Sequence, residues 1–207
     1  MEKEKKIEVE RLVFFSDAVI AIAITLLALD LKIEKQVEGK LQFSDILTSW
    51  ERFAAFGLSF IIIAVFWKVH HDFFQYIKKV NNKLVWFNII WLLFIVMLPF
   101  SSTLVSSHLR DTPAIVTYSI NVLFVTIMQN IIWDYALVQP GYLKEDTDPI
   151  IIEGFRIGCN LAMINAIIAI AIAFFSPMVA FIVLFVRLPM ILAAKRFRKR
   201  AKMKRKR

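Results

Sequence analysis

The segment RLVFFSDAVIAIAITLLALDL, residues 11–31, decides the fold class of this chain. A helix needs about 20 largely apolar residues to cross a bilayer, and this segment is long enough and apolar enough to do so. Five more stretches of this kind follow, and none shows the alternating pattern of a membrane β-barrel. The sequence therefore predicts an all-α polytopic membrane protein with six transmembrane helices, at residues 12–31, 53–71, 84–105, 114–136, 155–175 and 177–194.

The composition excludes an ordinary soluble domain. Hydrophobic residues make up 58% of the 207 residues and the mean hydropathy is +0.63, against about 45–50% apolar residues in soluble proteins. A chain of this length cannot bury so much apolar surface in one aqueous core. The sequence contains no G-x-S-x-G, no H-E-x-x-H and no phosphate-binding loop, so we expect neither an enzyme nor a bound metal or cofactor.

The positive charge is concentrated at the C-terminus. Residues 195–207 hold 10 of the 26 basic residues and no acid, which leaves 16 basic and 17 acidic residues elsewhere. We therefore divide the chain into a transmembrane domain, residues 1–194, and a basic cytoplasmic tail, residues 195–207. Lysines and arginines favour the cytoplasmic side, so six crossings place both termini in the cytoplasm. In a membrane protein, anionic lipid is a nearer partner for this tail than nucleic acid.

One stripe of the first helix faces away from Asp17, the only carboxylate in the middle of that helix. At 100° per residue, Ala18, Ile22, Thr25 and Leu29 fall within about 60° of one another, whereas Asp17 points the other way. Spacing alone favours lipid contact or core packing for the stripe, as for most apolar helix positions.

A carboxylate inside a membrane span is costly unless it is paired. Arg11 is six residues from Asp17, beyond the reach of neighbours on a regular helix, so the partner is expected from the antiparallel second helix. Adjacent helix residues point about 100° apart, which favours a structural hydrogen-bonded pair of histidines over a metal site. The predicted network contains Arg11, Ser16, Asp17, Trp67, His70 and His71, with either histidine as the partner of Asp17. The alternative is an Asp17 that lies at the water interface.

Polar residues elsewhere suggest helix contacts and helix ends. Asp148 before Pro149 is typical of a helix start, and Phe175-Ser176-Pro177 is expected to form a tight turn between the last two helices. We interpret five amides as hydrogen-bonding links between helices rather than as substrate ligands: Asn121, Gln129, Asn130, Asn160 and Asn165.

The motif R-x-x-x-F-S-D, formed by Arg11, Phe15, Ser16 and Asp17, resembles the opening of the first helix in the transmembrane protein 175 family. Those proteins are potassium channels of endosomes and lysosomes, with shorter prokaryotic relatives. Trp67-Lys-Val-His70-His71 is also similar to that family. Because this chain has one six-helix set and no clear internal repeat, it is similar to the prokaryotic type.

The resemblance implies a homotetramer in which the first helix of each subunit lines a central pore. It places the narrowest ring at Ile22 and further rings at Thr25 and Leu29, with Ala18 on the same stripe. It gives a structural role to the motif residues Arg11, Phe15, Ser16 and Asp17, and to Trp67, His70 and His71.

The expected function is that of a potassium-permeable cation channel in the plasma membrane of a prokaryote, with potassium and other monovalent cations as permeant ions. A hydrophobic constriction of side chains would replace a carbonyl filter, and the sequence contains no T-V-G-Y-G segment from which such a filter is built. Two alternatives remain: a secondary transporter, which should show broken helices and repeat symmetry, and a membrane sensor or scaffold that transports nothing.

Overall fold

A computed structural model describes residues 9–33 and 40–185 of the chain, and these residues form helices joined by short loops. A single 3₁₀ turn, Leu27–Asp30, continues the first helix. The α-helices within the described ranges are α1 (Val9–Leu26), α2 (Phe43–Thr48), α3 (Trp50–Phe74), α4 (Asn82–Ser107), α5 (Thr112–Val138), α6 (Pro149–Ala173) and α7 (Pro177–Phe185).

Five of these helices are long and apolar enough to cross a membrane: α1 with its 3₁₀ turn, α3, α4, α5 and α6. This confirms the prediction of an all-α, multi-pass membrane protein. The sixth predicted span, residues 177–194, begins as α7 at Pro177, but its second half lies outside the described residues. The basic tail, residues 195–207, lies outside them as well.

Local hydrogen bonds mark the start of α6 and the turn between α6 and α7. Asp148 accepts a hydrogen bond from the backbone N–H of Ile150 at 2.9 Å, and Pro149 occupies the first turn of α6. The expected helix start at this point is confirmed, because a side-chain acceptor satisfies one of the free N–H groups of the first turn. The turn before Pro177 is also confirmed, since the Phe175 N–H donates to the Ile172 carbonyl at 2.9 Å.

The order of packing makes α1 an edge helix. It contacts α3 and α4, whereas α4 packs on α5, and α5 packs on α6 and α7. α6 is reached from α1 through α4 and α5, and also through α3, whose Phe73 ring lies 4.8 Å from that of Phe155 on α6. One side of α1 is supported by two long helices, and the opposite side is open within the described protomer.

Two loops meet at one end of the bundle. Ile77, between α3 and α4, forms an antiparallel bridge with Leu143, between α5 and α6. The Lys78 N–H donates to the Tyr142 carbonyl at 2.6 Å. The second half of α3 also lies beside the first half of α1, through a contact between Trp67 and Asp17. Both loops and the beginning of α1 consequently share one end of the molecule.

Candidate pore-lining helix and its support

The buried face of α1 points at α3 and α4. Its members recur every three or four residues, as expected for one side of a helix that packs on two neighbours. They are Leu12, Ser16, Ile20, Ala23 and Leu27, none more than 5% exposed.

The opposite face of α1 carries the stripe that the sequence singles out. Ile22 is 61% exposed and Leu29 is 70% exposed, and Ala18 and Thr25 are exposed between and beside them. Leu29 lies in the 3₁₀ turn and not in the α-helix proper, yet it stays on the open side. No element in the described part of the chain covers these four side chains, so they form one continuous open surface.

Most of this surface is apolar, with one hydroxyl. The Thr25 hydroxyl donates to the Ile22 carbonyl at 2.8 Å, which leaves its oxygen lone pairs directed away from the helix backbone. Four copies of such a stripe around an axis would offer rings of Ala, Ile, Thr and Leu. The stripe could therefore supply a narrow hydrophobic passage with a single hydroxyl ring.

A buried chain of hydrogen bonds holds α1 against α3 and α4. The Asn88 amide donates to the Ser16 hydroxyl at 2.8 Å, and the Asn88 carbonyl oxygen lies 2.8 Å from His70 Nε2. Ser16 in turn donates to the Leu12 carbonyl at 2.8 Å. Ser16, His70 and Asn88 are each 0% exposed. Because buried polar groups are expensive to leave unpaired, this chain fixes how α1 is rotated against its support.

Asp17 takes its partner from the second long helix, as expected, but that partner is Trp67 of the predicted network and not a histidine. Asp17 accepts a hydrogen bond from the Trp67 indole N–H at 2.8 Å, whereas His70 pairs with Asn88. The expected pairing of Asp17 with His70 or His71 is therefore wrong in the structure. His71 instead places its ring 5.6 Å from that of Trp67.

Helix geometry explains why Trp67 and His70 have different partners. Neighbouring residues diverge by about 100° while residues four apart share a face, so Trp67 and His71 lie together and His70 lies on another side of α3. Ser16 and Asp17 diverge in the same way on α1. The pair Ser16 and His70 faces the interior, and the pair Asp17 and Trp67 lies at its margin, where Trp67 is 38% exposed.

The remaining motif residues lie on the outside of the protomer. Phe15 is 51% exposed and Arg11 is exposed on the same side of α1. Both continue the open stripe towards the beginning of the helix. Asn88, by contrast, is central to the network and is absent from the sequence-based list. Its only sequence signal is that it is a lone amide in the apolar run 84–98.

The chain is similar in sequence to proteins of one known family. Residues 11–99 match the model of the endosomal/lysosomal potassium channel TMEM175. A potassium channel of Chamaesiphon minutus is 30% identical over 185 residues, which cover 85% of this chain and 89% of that protein. The chain belongs to the TMEM175 family. Because this family is one of ion channels, the expectation that the chain is not an enzyme is confirmed.

Solved structures and animal relatives extend the comparison. The crystal structure of a lysosomal potassium-selective channel TMEM175 homolog from Chamaesiphon minutus superimposes with a TM-score of 0.79 at 27% identity, covering 90% of this chain and 97% of that one. The endosomal/lysosomal proton channel TMEM175 of Danio rerio is 27% identical over 138 residues, which are 65% of this chain and only 26% of that protein. The match thus spans nearly all of the Chamaesiphon minutus structure but about a quarter of the Danio rerio protein.

Proposed function

We propose that this TMEM175 chain is one subunit of a homotetrameric, potassium-permeable channel whose pore runs between four copies of α1. The observation that carries the proposal is the open stripe of Ala18, Ile22, Thr25 and Leu29 on the edge helix, opposite the buried face. The similarity to proteins named potassium channels supports the choice of ion.

A ring of four Ile22 side chains would form the constriction. Its width and hydration would decide whether ions pass, because a hydrophobic constriction gates by dewetting. Few oxygens are available there to replace the water around an ion, so selectivity for potassium over other monovalent cations should be modest. Thr25, one turn further on, would supply the nearest hydroxyl ring.

The proposed topology has six spans with both termini in the cytoplasm of a prokaryotic cell and the protein in the plasma membrane. This topology is supported by the position of three lysines, because lysines favour the cytoplasmic side. Lys78 and Lys79 lie in the loop between α3 and α4, and Lys83 lies at the start of α4. All three share one end of the bundle with the beginning of α1. The sixth span is the one predicted from the sequence at residues 177–194, which completes a proposed transmembrane domain, 1–194. The tail, 195–207, would then lie on anionic lipid at the same membrane face.

Two further features support potassium over protons as the permeant ion and a channel over a transporter. It carries no titratable side chain between Ala18 and Leu29, so side chains there offer no relay for protons, the ion for which the Danio rerio protein is named. A transporter typically breaks its helices at the substrate site, whereas α3, α4, α5 and α6 each run unbroken for 25 to 27 residues.

Replacing Ile22 by Asn tests the constriction. A ring of amides should wet the passage and raise potassium flux into proteoliposomes several-fold over the wild type. The matched control is Ile24→Asn, since Ile24 is a partly buried isoleucine of α1 that packs against the core. The control should lower protein stability without raising flux.

Equal flux from Ile22→Asn and the wild type, at equal protein in the membrane, would contradict the pore assignment. The ion is tested separately by the reversal potential of the same vesicles fused to a planar bilayer. A potential that follows the potassium gradient supports the proposal, and one that follows the pH gradient contradicts it.

A further inference from the structure

The outward face of α6 is the most unusual membrane-facing surface in the described protomer. The helix turns its small residues inward, where Ala166, Ala169 and Ala173 are each 0% exposed against α5 and α7. Seven exposed residues on its outward side, from α6 and the residue that follows it, repeat with the 4-3-4-3-4-3 spacing of a heptad seam. They are Glu153, Ile157, Asn160, Ile164, Ile167, Ala171 and Phe174.

Asn160 lies at the centre of this seam. It is the twelfth of the 25 residues of α6, it is exposed, and at 100° per residue it points about 180° away from Ala169. Its side chain makes no hydrogen bond within residues 9–33 and 40–185. Lipid tails offer none either, and an unsatisfied amide in hydrocarbon is unfavourable by several kcal/mol.

Other amides of the bundle find partners inside the protomer. Asn165 donates to the Val183 carbonyl at 2.9 Å, Gln129 to the Phe66 carbonyl at 3.0 Å, and Asn121 to the Ser101 hydroxyl at 3.2 Å. These three are confirmed as links between helices. Asn130 has a buried carbonyl oxygen without a partner in the described chain, but it is only partly exposed. Asn160 alone among the five presents its amide outward.

We propose that α6 pairs in parallel with α6 of a second copy of this chain, about a two-fold axis normal to the membrane. Copies inserted with the same orientation bring Asn160 to the same depth, and a carboxamide is both donor and acceptor, so the two side chains complement each other. A single Asn at a core heptad position sets the register and oligomeric state of paired helices, and amides link helices within membranes.

The exposed stripe of α4 provides the contrast. It has the same spacing and similar exposure, but it contains no hydrogen-bonding side chain except the indole at its end, which suits contact with lipid. Its members are Trp86, Ile90, Leu93, Met97 and Phe100. Apart from Glu153 near the start of α6, the two faces therefore differ by the amide of Asn160 and not by their apolar character.

The α6 pair is separate from the proposed pore. α1 packs on α3 and α4, whereas α6 packs mainly on α5 and α7. Four copies arranged around α1 would therefore carry α6 on the outside of the ring. The pair would then join two channels side by side in the membrane. It does not depend on which ion the channel conducts.

Cysteine cross-linking in native membranes tests the pairing. The single native cysteine, Cys159, is first replaced by Ser. Ile157→Cys and Ile164→Cys on the seam are then compared with Leu93→Cys on α4, because the three positions are 47%, 50% and 56% exposed. Mild oxidation should link the two seam variants into dimers of this chain and leave the α4 variant monomeric on denaturing gels.

Adding Asn160→Leu to Ile164→Cys should lower the dimer yield about threefold or more, the effect of losing one hydrogen bond between membrane helices. Potassium flux per protein should stay unchanged, which separates this inference from the pore proposal. Equal yields at the seam and at Leu93, no dimer at either seam position, a yield unaffected by Asn160→Leu, or a product with the mass of another protein would each overturn the pairing.

Discussion

At the scale of single residues, the structure makes Asn88 more important than the acidic residue of the motif. Asn88 bridges Ser16 of α1 and His70 of α3, and all three are 0% exposed. Within residues 9–33 and 40–185, Asp17 has one hydrogen-bond partner, Trp67, whose side chain is 38% exposed in the protomer. Water or a lipid headgroup can therefore compensate Trp67 more easily than it can compensate Ser16 or His70.

Replacing Asn88 by Leu should destabilise the protein more than replacing Asp17 by Ala. The first change leaves the buried Nε2 of His70 without a partner, at about 1–3 kcal/mol, and removes the donor to the Ser16 hydroxyl, which keeps its bond to the Leu12 carbonyl. The second change frees an indole N–H at the margin. Thermal unfolding of both variants in the same detergent, each compared with the wild type, measures the order. A larger loss for Asp17→Ala would contradict the arrangement of these partners.

The stripe of α1 could be predicted from residue spacing, and so could a contact between its motif and the end of α3. Which residues of α3 and α4 pair with Ser16 and with Asp17 could not be predicted. Neighbours such as His70 and His71 differ by 100° in direction, and the rotation of α3 about its axis depends on packing that no local pattern reports. Asn88 was detectable only as a lone amide in an apolar run, a signal that it shares with amides that face elsewhere.

At the scale of helices, capping explains where the structure departs from hydropathy. Hydropathy predicts a fifth span over 155–175, whereas α6 begins at Pro149, because the Asp148 cap and the proline start the helix before its charged residues Glu153 and Arg156. The short helix α2 was missed altogether. It is stabilised by Asp45, which accepts from the Gln42 N–H at 2.9 Å, and six residues are too few to show a helical pattern.

Removing the cap of α6 should have a measurable and local effect. Asp148→Ala should lower the free energy of unfolding by about 1 kcal/mol, the usual value of a lost helix cap. The control is Asp146→Ala, which removes the same charge from an exposed position of the same loop. Equal melting temperatures for the two variants would show that Asp148 does not stabilise the start of α6.

At the scale of the whole molecule, composition and hydropathy suffice for the class of protein, and the motif at Arg11–Asp17 suffices for the family. They do not supply the packing order, which makes α1 an edge helix with one open face. That property arises from contacts among α1, α3 and α4 that are distant in sequence. The open face is also what would make α1 available to the other subunits of the proposed tetramer, so the proposed pore depends on it.

The central claim is that ions pass along the open stripe of α1. Single-channel recording of Thr25→Cys, made in a Cys159→Ser background and exposed to a cationic thiol reagent, tests it most directly. Since Thr25 lies on the stripe, modification should block the current in discrete steps, whereas Ile24→Cys, on a partly buried side of the helix, should remain open. Unchanged current through channels whose Thr25→Cys thiol is shown by mass spectrometry to be fully modified would contradict the claim.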